Sequence, residues 1–339
     1  MIKYMNFAQR IAQLEGVADA MRKTIVQRFG LPQTFGAAGD SLIDPYGAKS
    51  GFRDNNAYIS VAIGSYFYLL DEVLAAFRFA PVTEFARGHV PVQTPVLVGQ
   101  FELEDEFVYV LATLAFATLI GHELCHLLNG HWFMENYGHS PRRSDEIAAE
   151  AQRLAKKEHT SFAFETNADM GGITWMLETL FDETSELRQT IECAATRLPG
   201  ITSSSGIGST LAFTVVVLSK TYHKARVNKL RHPPPVFRYE TLNRTAARYF
   251  ATQQKEDERQ AFVQVLPKAV GFLLSKLRPT NVEFAEPDEQ QSNQAELAER
   301  IEEAWRDAEP FLELHKHGPR ICFGAEMHDL KKTLGWSES

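Results

Sequence analysis

The chain has 339 residues, of which 44% are hydrophobic and 23% are charged. This composition is typical of a globular protein, and the length predicts one large domain or two modest ones. The formal net charge of -8 argues against a general nucleic-acid-binding protein, which would present a basic face, so we expect no nucleic-acid partner.

Three cysteines, Cys125, Cys193 and Cys322, are too sparse for a disulfide framework and favour a reducing compartment. No uninterrupted apolar segment follows Met1, so we expect no signal peptide. The apolar run at residues 107–121 is shorter than the ~18–20 residues that a membrane-spanning helix needs. We therefore expect no transmembrane segment and a cytoplasmic location.

The N-terminal part combines helical and strand patterns. Apolar residues at helical spacing predict a helix at residues 17–29. Residues 36–56 are rich in Gly, Asp, Ser and Pro and predict a loop, whereas the alternating residues 57–63 predict a strand. This strand could align a substrate backbone by strand addition, and an ordinary internal strand explains the pattern equally well.

Two further patterns complete this part. Residues 66–79 return to helical spacing, and the valines and prolines of residues 90–101 are typical of one or two short strands. We predict an N-terminal α/β part at residues 1–104 that contributes an edge strand.

The central part is predicted to be helical. A long helix runs from about residue 105 to residue 128 and ends at the Asn129-Gly130 dipeptide. A charged, Ala-rich helix is predicted at residues 143–157, and another helix at residues 161–181.

After these helices, a Ser/Gly-rich loop is predicted at residues 198–208 and an apolar helix at residues 210–222. The proline run that follows His232 opens a new segment, because proline is well tolerated in the first turn of a helix. The second predicted segment of the chain, at residues 105–250, is therefore mostly helical.

The C-terminal region, residues 251–339, is predicted to be mostly helical. Residues 281–293 are polar and acidic and predict an exposed connection. Residues 295–309 form an amphipathic pattern with Ile301 and Trp305 on the apolar face. The predicted fold class is α+β, predominantly helical, with a small sheet.

The most specific motif is H-E-x-x-H at residues 122–126. Positions i and i+4 of a helix share one face, so His122 and His126 can direct imidazole nitrogens at one metal ion. Glu123 is displaced around the helix, where it can take a proton from an activated water. This division of tasks predicts a zinc hydrolase of the peptidase kind, with Zn²⁺ as cofactor. Cys125 is expected to be a small buried side chain.

Catalytic zinc usually has three protein ligands, and Glu165 on the next long predicted helix is the favoured third ligand. Asp169 follows at i+4 on the same face and could accept the second ring N–H of His122 or His126. His131 is the rival third ligand. The metzincin pattern needs Gly and His at the seventh and tenth positions after the first His, whereas here they occupy the eighth and ninth.

A third element, H-P-P-P-x-x-R, lies at residues 232–238. Peptide hydrolysis builds negative charge on the former carbonyl oxygen, and His232 could donate a hydrogen bond to it. Arg238 could orient His232 or bind substrate carbonyl groups. His232 could instead cap the following helix. Three further side chains are alternative electrophiles: Tyr222, His223 and Tyr239.

The motifs H-E-x-x-H, E-x-x-A-D-x-x-G and H-P-P-x-x-x-R, in this order, resemble the gluzincin zinc metallopeptidase family of the HtpX heat-shock protease and the CAAX prenyl protease. The resemblance covers about residues 107–245 and implies a zincin-like catalytic core at residues 105–250. The best-known members are membrane-embedded or exported, which this sequence does not predict. A second resemblance, in size class and zinc motif alone, is to the Lit-type phage-exclusion protease. By this resemblance, the family's metal ligands correspond to His122, His126 and Glu165, and its general base corresponds to Glu123. The acid that supports a ligand corresponds to Asp169, and the H-P-x-x-x-x-R element corresponds to His232 and Arg238.

Three classes of function are compatible with these motifs. The first is a zinc endopeptidase that cleaves intracellular proteins or peptides. The others are a catalytically silent, zinc-stabilised sensor or binding module and a zinc hydrolase of non-peptide amides. A closed structural zinc site would need neither Glu123 nor an oxyanion donor, so the motifs favour an enzyme.

Overall fold

The protein is predominantly helical, as the sequence predicts, and the described residues contain a single small sheet. The predicted helix at residues 66–79 lies outside the described residues. Of the strand region predicted at residues 90–101, only residues 100 and 101 are described, and both are helical. The computed structural model describes residues 7–29, 36–38, 48–53, 56–61, 100–136, 149–151, 153–154, 156–194, 199–224, 232–276, 287–318 and 320–336.

The N-terminal part begins with helix α1, Phe7–Phe29, which starts earlier than the predicted helix but ends where predicted. The predicted loop at residues 36–56 is wrong in part, because it contains strands β1, Gly36–Ala38, and β2, Ala48–Arg53. Their Gly, Ala and Ser residues have low strand propensity by themselves, and pairing with a third strand stabilises them.

That third strand, β3, spans Asn56–Val61 and is the central strand of the sheet. Ile59 lies opposite Ala37 of the parallel strand β1 and opposite Ser50 of the antiparallel strand β2. The predicted strand is therefore present, but its predicted edge position is wrong. Both of its hydrogen-bonding edges are occupied, so β3 does not offer the free edge that strand addition of a substrate requires.

The central element is helix α2, Gln100–Leu128, which carries the H-E-x-x-H motif in its last two turns. It ends as predicted, since Gly130 adopts a left-handed backbone with φ of 76°. Its segment from Phe107 to Leu128 is long and apolar enough to cross a membrane by composition, yet 94% of that segment is buried inside the fold. An all-round apolar helix of this kind is also typical of the core of a large protein.

Two glycines let α2 approach the next long helix closely. That helix, α4, spans Glu158–Phe181 and confirms the predicted helix at residues 161–181. A Cβ atom on Gly172 would lie 2.6 Å from the carbonyl oxygen of Thr118, and one on Gly121 would lie 2.9 Å from the Cα of Gly172. The two backbones therefore touch immediately before His122, which brings the motif of α2 against the side chains of α4.

Several shorter elements connect these helices. The described residues 149–151 and 153–154 are helical, in agreement with the prediction for residues 143–157. The predicted loop at residues 198–208 is shorter than expected, because the hydroxyl of Ser203 accepts the N–H of Gly206 and caps a helix there. The connecting elements are α3, His131–Asn136; α5, Glu186–Ala194; a 3₁₀ turn, Pro199–Thr202; and α6, Ser204–Lys224.

The described residues of the remaining chain are mostly helical, as predicted. A helix begins at Pro287, so the predicted exposed connection at residues 281–293 is wrong for residues 287–293, and residues 281–286 lie outside the described residues. Ile301 and Trp305 are fully buried, which confirms the predicted apolar face. The elements are α7, Pro235–Thr252; α8, Glu256–Lys276; α9, Pro287–Glu313; α10, Gly324–His328; and α11, Leu330–Thr333.

The hydrophobic core consists of two clusters that flank the motif. The larger one is built around α2 and α6 and extends to α1 and α8. The smaller one packs α9 and the C-terminal residues against Phe164 and Phe237. Buried side chains from the three predicted segments, residues 1–104, 105–250 and 251–339, pack together in the larger cluster. The division of the chain into these three segments stays a prediction.

Candidate metal centre

Three side chains predicted as metal ligands converge between α2 and α4. The Nε2 atoms of His122 and His126 are 3.0 Å apart. Oε2 of Glu165 lies 3.5 Å from Nε2 of His122, and Oε1 of Glu165 lies 3.5 Å from Nε2 of His126. One nitrogen from each ring and one carboxylate oxygen all lie within 4.8 Å of one another.

This donor set fits a small divalent cation. Ligand atoms held at about 2.0–2.1 Å from a tetrahedral zinc ion are separated by roughly 3.3 Å, close to the three distances observed. His122 and Glu165 are buried, and Oε2 of Glu165 has no hydrogen-bond partner among the described residues. This oxygen lies 2.8 Å from Nδ1 of His232 and 3.5 Å from Nε2 of His122, and a cation bound by the three donors would give it a directed partner. The group could therefore hold a metal ion.

Glu123 is the residue after the first metal-ligand candidate. The chain turns by about 100° per residue in an α-helix, so Glu123 cannot share the ring-bearing face of His122 and His126. Its side chain is only 8% exposed and lies in the same buried part of α2. The role of Glu123 as a proton acceptor therefore stays a prediction.

Asp169 supports the first histidine, as predicted. Nδ1–H of His122 donates to Oδ1 of Asp169 over 2.9 Å, which leaves Nε2 directed at Glu165 and His126. Asp169 has no solvent exposure. Burial alone would raise the pKa of its carboxyl group, but the charge and hydrogen bonds of Arg238 and the bond from His122 hold that pKa below its usual value.

Arg238 occupies a different place from the one the sequence suggests. Its Nε donates to Oδ2 of Asp169 at 2.7 Å and its Nη2 to Oδ1 at 2.6 Å. The guanidinium is 5% exposed, and Nη2 is also 3.5 Å from Oε2 of Glu165. Arg238 therefore holds the acid that orients His122, and this buried position does not suit a substrate-carbonyl donor.

His232 lies at the outer side of the site. Its Nδ1 is 2.8 Å from Oε2 of Glu165, off the direction of a hydrogen bond, and 43% of its side chain is exposed. It does not cap α7, whose first turn has no side-chain cap and begins after Pro234. The alternative electrophile Tyr239 is partly buried against the larger core cluster, and the side chains of Tyr222 and His223 lie outside the described residues.

His131, the rival third ligand, faces the far side of the ring of His126. Its Nδ1 lies 3.0 Å from Nδ1 of His126, whereas the three converging donors include Nε2 of His126. Burial holds the pKa of His131 well below its usual value, so the ring is neutral. The spacing of Gly130 and His131 does not fit the metzincin pattern. It gave no indication that His131 would contact Nδ1 of His126, on the side of the ring opposite the other donors.

A buried polar network, missed by the sequence reasoning, ties the C-terminal segment to the two site helices. The side-chain amides of Asn129 and Asn167 both donate to the carbonyl oxygen of Cys322 at 3.0 Å, and Asn129 Oδ1 accepts the N–H of Cys322. Cys125 is a buried free thiol within this network, as expected, and burial raises its pKa well above the usual value. The end of α2 is therefore held by backbone from a remote part of the chain.

The electrostatics of the metal-free site favour a charged His122. Burial would lower the pKa of its ring, but the hydrogen bonds and charges of Asp169 and Glu165 outweigh burial and raise the pKa to about 10. Because this pKa lies above the unfolded value of 6.5, the charged ring stabilises the metal-free fold fully below that value, and the contribution is lost as pH rises towards 10.

A metal ion that binds Nε2 must displace this proton. We therefore expect Zn²⁺ binding at neutral pH to release protons, and the apparent affinity to increase with pH. Isothermal titration calorimetry in two buffers of different ionisation enthalpy measures the number released. Equal binding heats in both buffers would contradict a protonated His122 in the metal-free protein.

No protein-family model, no curated protein and no solved structure matches the chain. The family resemblance of the three motifs therefore stays a prediction. The function is inferred from the residues and geometry of the site itself.

Proposed function

We propose that the protein is a zinc-dependent endopeptidase that hydrolyses peptide bonds of intracellular proteins. The observation that carries this proposal is the convergence of His122, His126 and Glu165, with Glu123 one residue from the first of them. Three protein ligands leave one position of a tetrahedral ion open, which is typical of catalytic rather than structural zinc.

The donor types favour zinc over other common cations. Two imidazoles and one carboxylate are a recurrent set for hydrolytic zinc, whereas Mg²⁺ and Ca²⁺ prefer oxygen ligands. The partner of His122 also matches the carboxylate–histidine arrangement around zinc, in which an acid fixes the tautomer of the ligand.

When bound, zinc supplies Lewis acidity, which lowers the pKa of water towards ~7 and polarises a carbonyl oxygen. The carboxylate of Glu123 accepts the proton of the attacking water and then delivers it to the leaving amine. His232 is exposed beside the site and donates to the oxygen on which negative charge develops. Arg238 keeps Asp169 ionised and in place, so it is a positioning residue in this proposal.

The resemblance to gluzincins adds support, because the order and spacing of all three motifs agree with the proposed roles. It also suggests a zincin-like core for the helices that carry them. A cytoplasmic location, which the sparse cysteines favour, is part of this proposal.

The metal site is tested with Glu165→Ala. We expect the purified wild-type chain to contain close to one equivalent of zinc by elemental analysis, and the variant less than about a tenth of an equivalent, because one of three ligands is lost. Glu158→Gln, at the exposed start of α4, is the matched control and should keep the wild-type zinc content. Full occupancy of Glu165→Ala would reassign the third ligand.

Substrates are tested in cells by proteome-wide mapping of new protein N-termini, with the wild-type chain and Glu165→Ala expressed at equal levels. An endopeptidase produces N-termini that are present only with the wild type. Identical N-terminal profiles, together with zinc-loaded wild-type protein, would favour the silent binding module.

A further inference from the structure

The ring of His131 is in contact with the ring of a proposed ligand. Nδ1 of His131 and Nδ1 of His126 are 3.0 Å apart, the distance of a hydrogen bond. A neutral imidazole has one nitrogen that donates and one that accepts. One of the two Nδ1 atoms must therefore carry the hydrogen and the other must accept it.

Metal binding decides between the two arrangements. His126 offers its Nε2 towards His122 and Glu165, and a nitrogen that binds a cation must present a lone pair. The hydrogen of His126 then lies on Nδ1, and His131 must accept it at its own Nδ1. His131 consequently carries its hydrogen on Nε2.

We propose that His131 is a positioning residue for the metal site: it accepts the Nδ1–H of His126 and so fixes the tautomer and orientation of that ligand. This inference rests on the proposed zinc site and deepens it. A metal-binding histidine usually donates its second N–H to a carboxylate, a backbone carbonyl or water. Here the ring of a second histidine takes that place.

The fold holds the ring of His131 rigidly. It has no solvent exposure and follows the left-handed turn at Gly130. It stacks on Phe164 with a centroid distance of 4.5 Å and an interplanar angle of 8°, and it meets the edge of Trp305 at 6.0 Å. Phe164 precedes the ligand Glu165, and Trp305 belongs to α9, so the C-terminal region helps to position His126.

The position of His131 is not explained by stability alone. Its Nε2 is buried and has no hydrogen-bond partner among the described residues. A phenylalanine would fill the same aromatic stack without an unpaired Nε2, but it would also remove the hydrogen bond to Nδ1 of His126. The aromatic stack by itself therefore does not require a histidine at this position.

The first test compares two substitutions by competition with a zinc chelator of known affinity. His131→Phe keeps the aromatic stack and removes the acceptor, so we expect zinc affinity to fall about 10- to 100-fold. The melting temperature of the metal-free variant should stay close to that of the wild type, because the variant loses one hydrogen bond and one unpaired buried nitrogen together. His131→Asn, whose amide oxygen can accept the same hydrogen, should bind zinc several-fold more tightly than His131→Phe, by the same argument. His328→Phe, a surface histidine paired with Glu309, is the control and should leave the affinity unchanged.

The second test needs no variant. Long-range ¹H–¹⁵N spectra of zinc-loaded wild-type protein with ¹⁵N-labelled histidine should show His131 as the Nε2–H tautomer, and this result decides the question if His131→Phe does not fold. An Nδ1–H tautomer of His131 would overturn the proposal, as would wild-type zinc affinity in His131→Phe. In both cases the zinc site itself would stand, whereas a wild-type chain that binds no zinc would overturn the proposed function as well.

Discussion

Glu123→Gln is expected to lower peptide-bond cleavage at least about 10³-fold, equivalent to about 4 kcal/mol of transition-state stabilisation, while zinc content stays at the wild-type level. Glutamine has nearly the same shape as glutamate but cannot accept the proton of the attacking water. Glu123 is not one of the three converging donors, so its replacement should not empty the metal site. The measurements are cleavage of a substrate identified from the new N-termini and zinc analysis of the same preparation.

Glu158→Gln is again a suitable control, because it makes the same chemical change at a surface position of the neighbouring site helix. It should cleave at the wild-type rate. If Glu123→Gln also cleaves at that rate, Glu123 is not the general base. The site would then require another proton acceptor or a function without turnover.

Arg238→Met is expected to lower the free energy of unfolding of the metal-free protein by about 3–5 kcal/mol. The change removes one partner of a buried ion pair and leaves the fully buried carboxylate of Asp169 without its bidentate donor. Methionine has similar bulk, so loss of packing contributes little. Chemical denaturation with a chelator present measures the effect without a contribution from metal binding.

Two comparisons separate this ion pair from a general charge effect. Arg259→Met removes an exposed arginine paired with Glu256 and should leave the free energy of unfolding close to the wild-type value, because solvent screens this ion pair. The double variant Asp169→Leu/Arg238→Met should be less destabilised than the sum of the two single variants, because neither partner is left as an unpaired buried charge. Strict additivity would contradict a direct coupling between the two residues.

Periodicity predicted the long helices correctly because each buries a continuous apolar face or is apolar all round. The i, i+4 relation of His122 to His126, and of Glu165 to Asp169, is a property of a single helix, so sequence could place each pair on one face. The prediction was weaker where local preference is low. Strands β1 and β2 are rich in Gly, Ala and Ser, which have little strand propensity, and pairing with β3 stabilises them.

Helix periodicity and side-chain chemistry are local properties, so the sequence predicts the helices, the candidate donors and a division of tasks within H-E-x-x-H. Which distant groups come into contact depends on how the helices pack. The contact of Gly121 with Gly172 brings Glu165 to the two imidazoles, and the turn at Gly130 directs His131 to the back of His126. These contacts depend on close approach and packing of backbone segments that are far apart in the chain. A local sequence pattern does not determine which distant segments pack together.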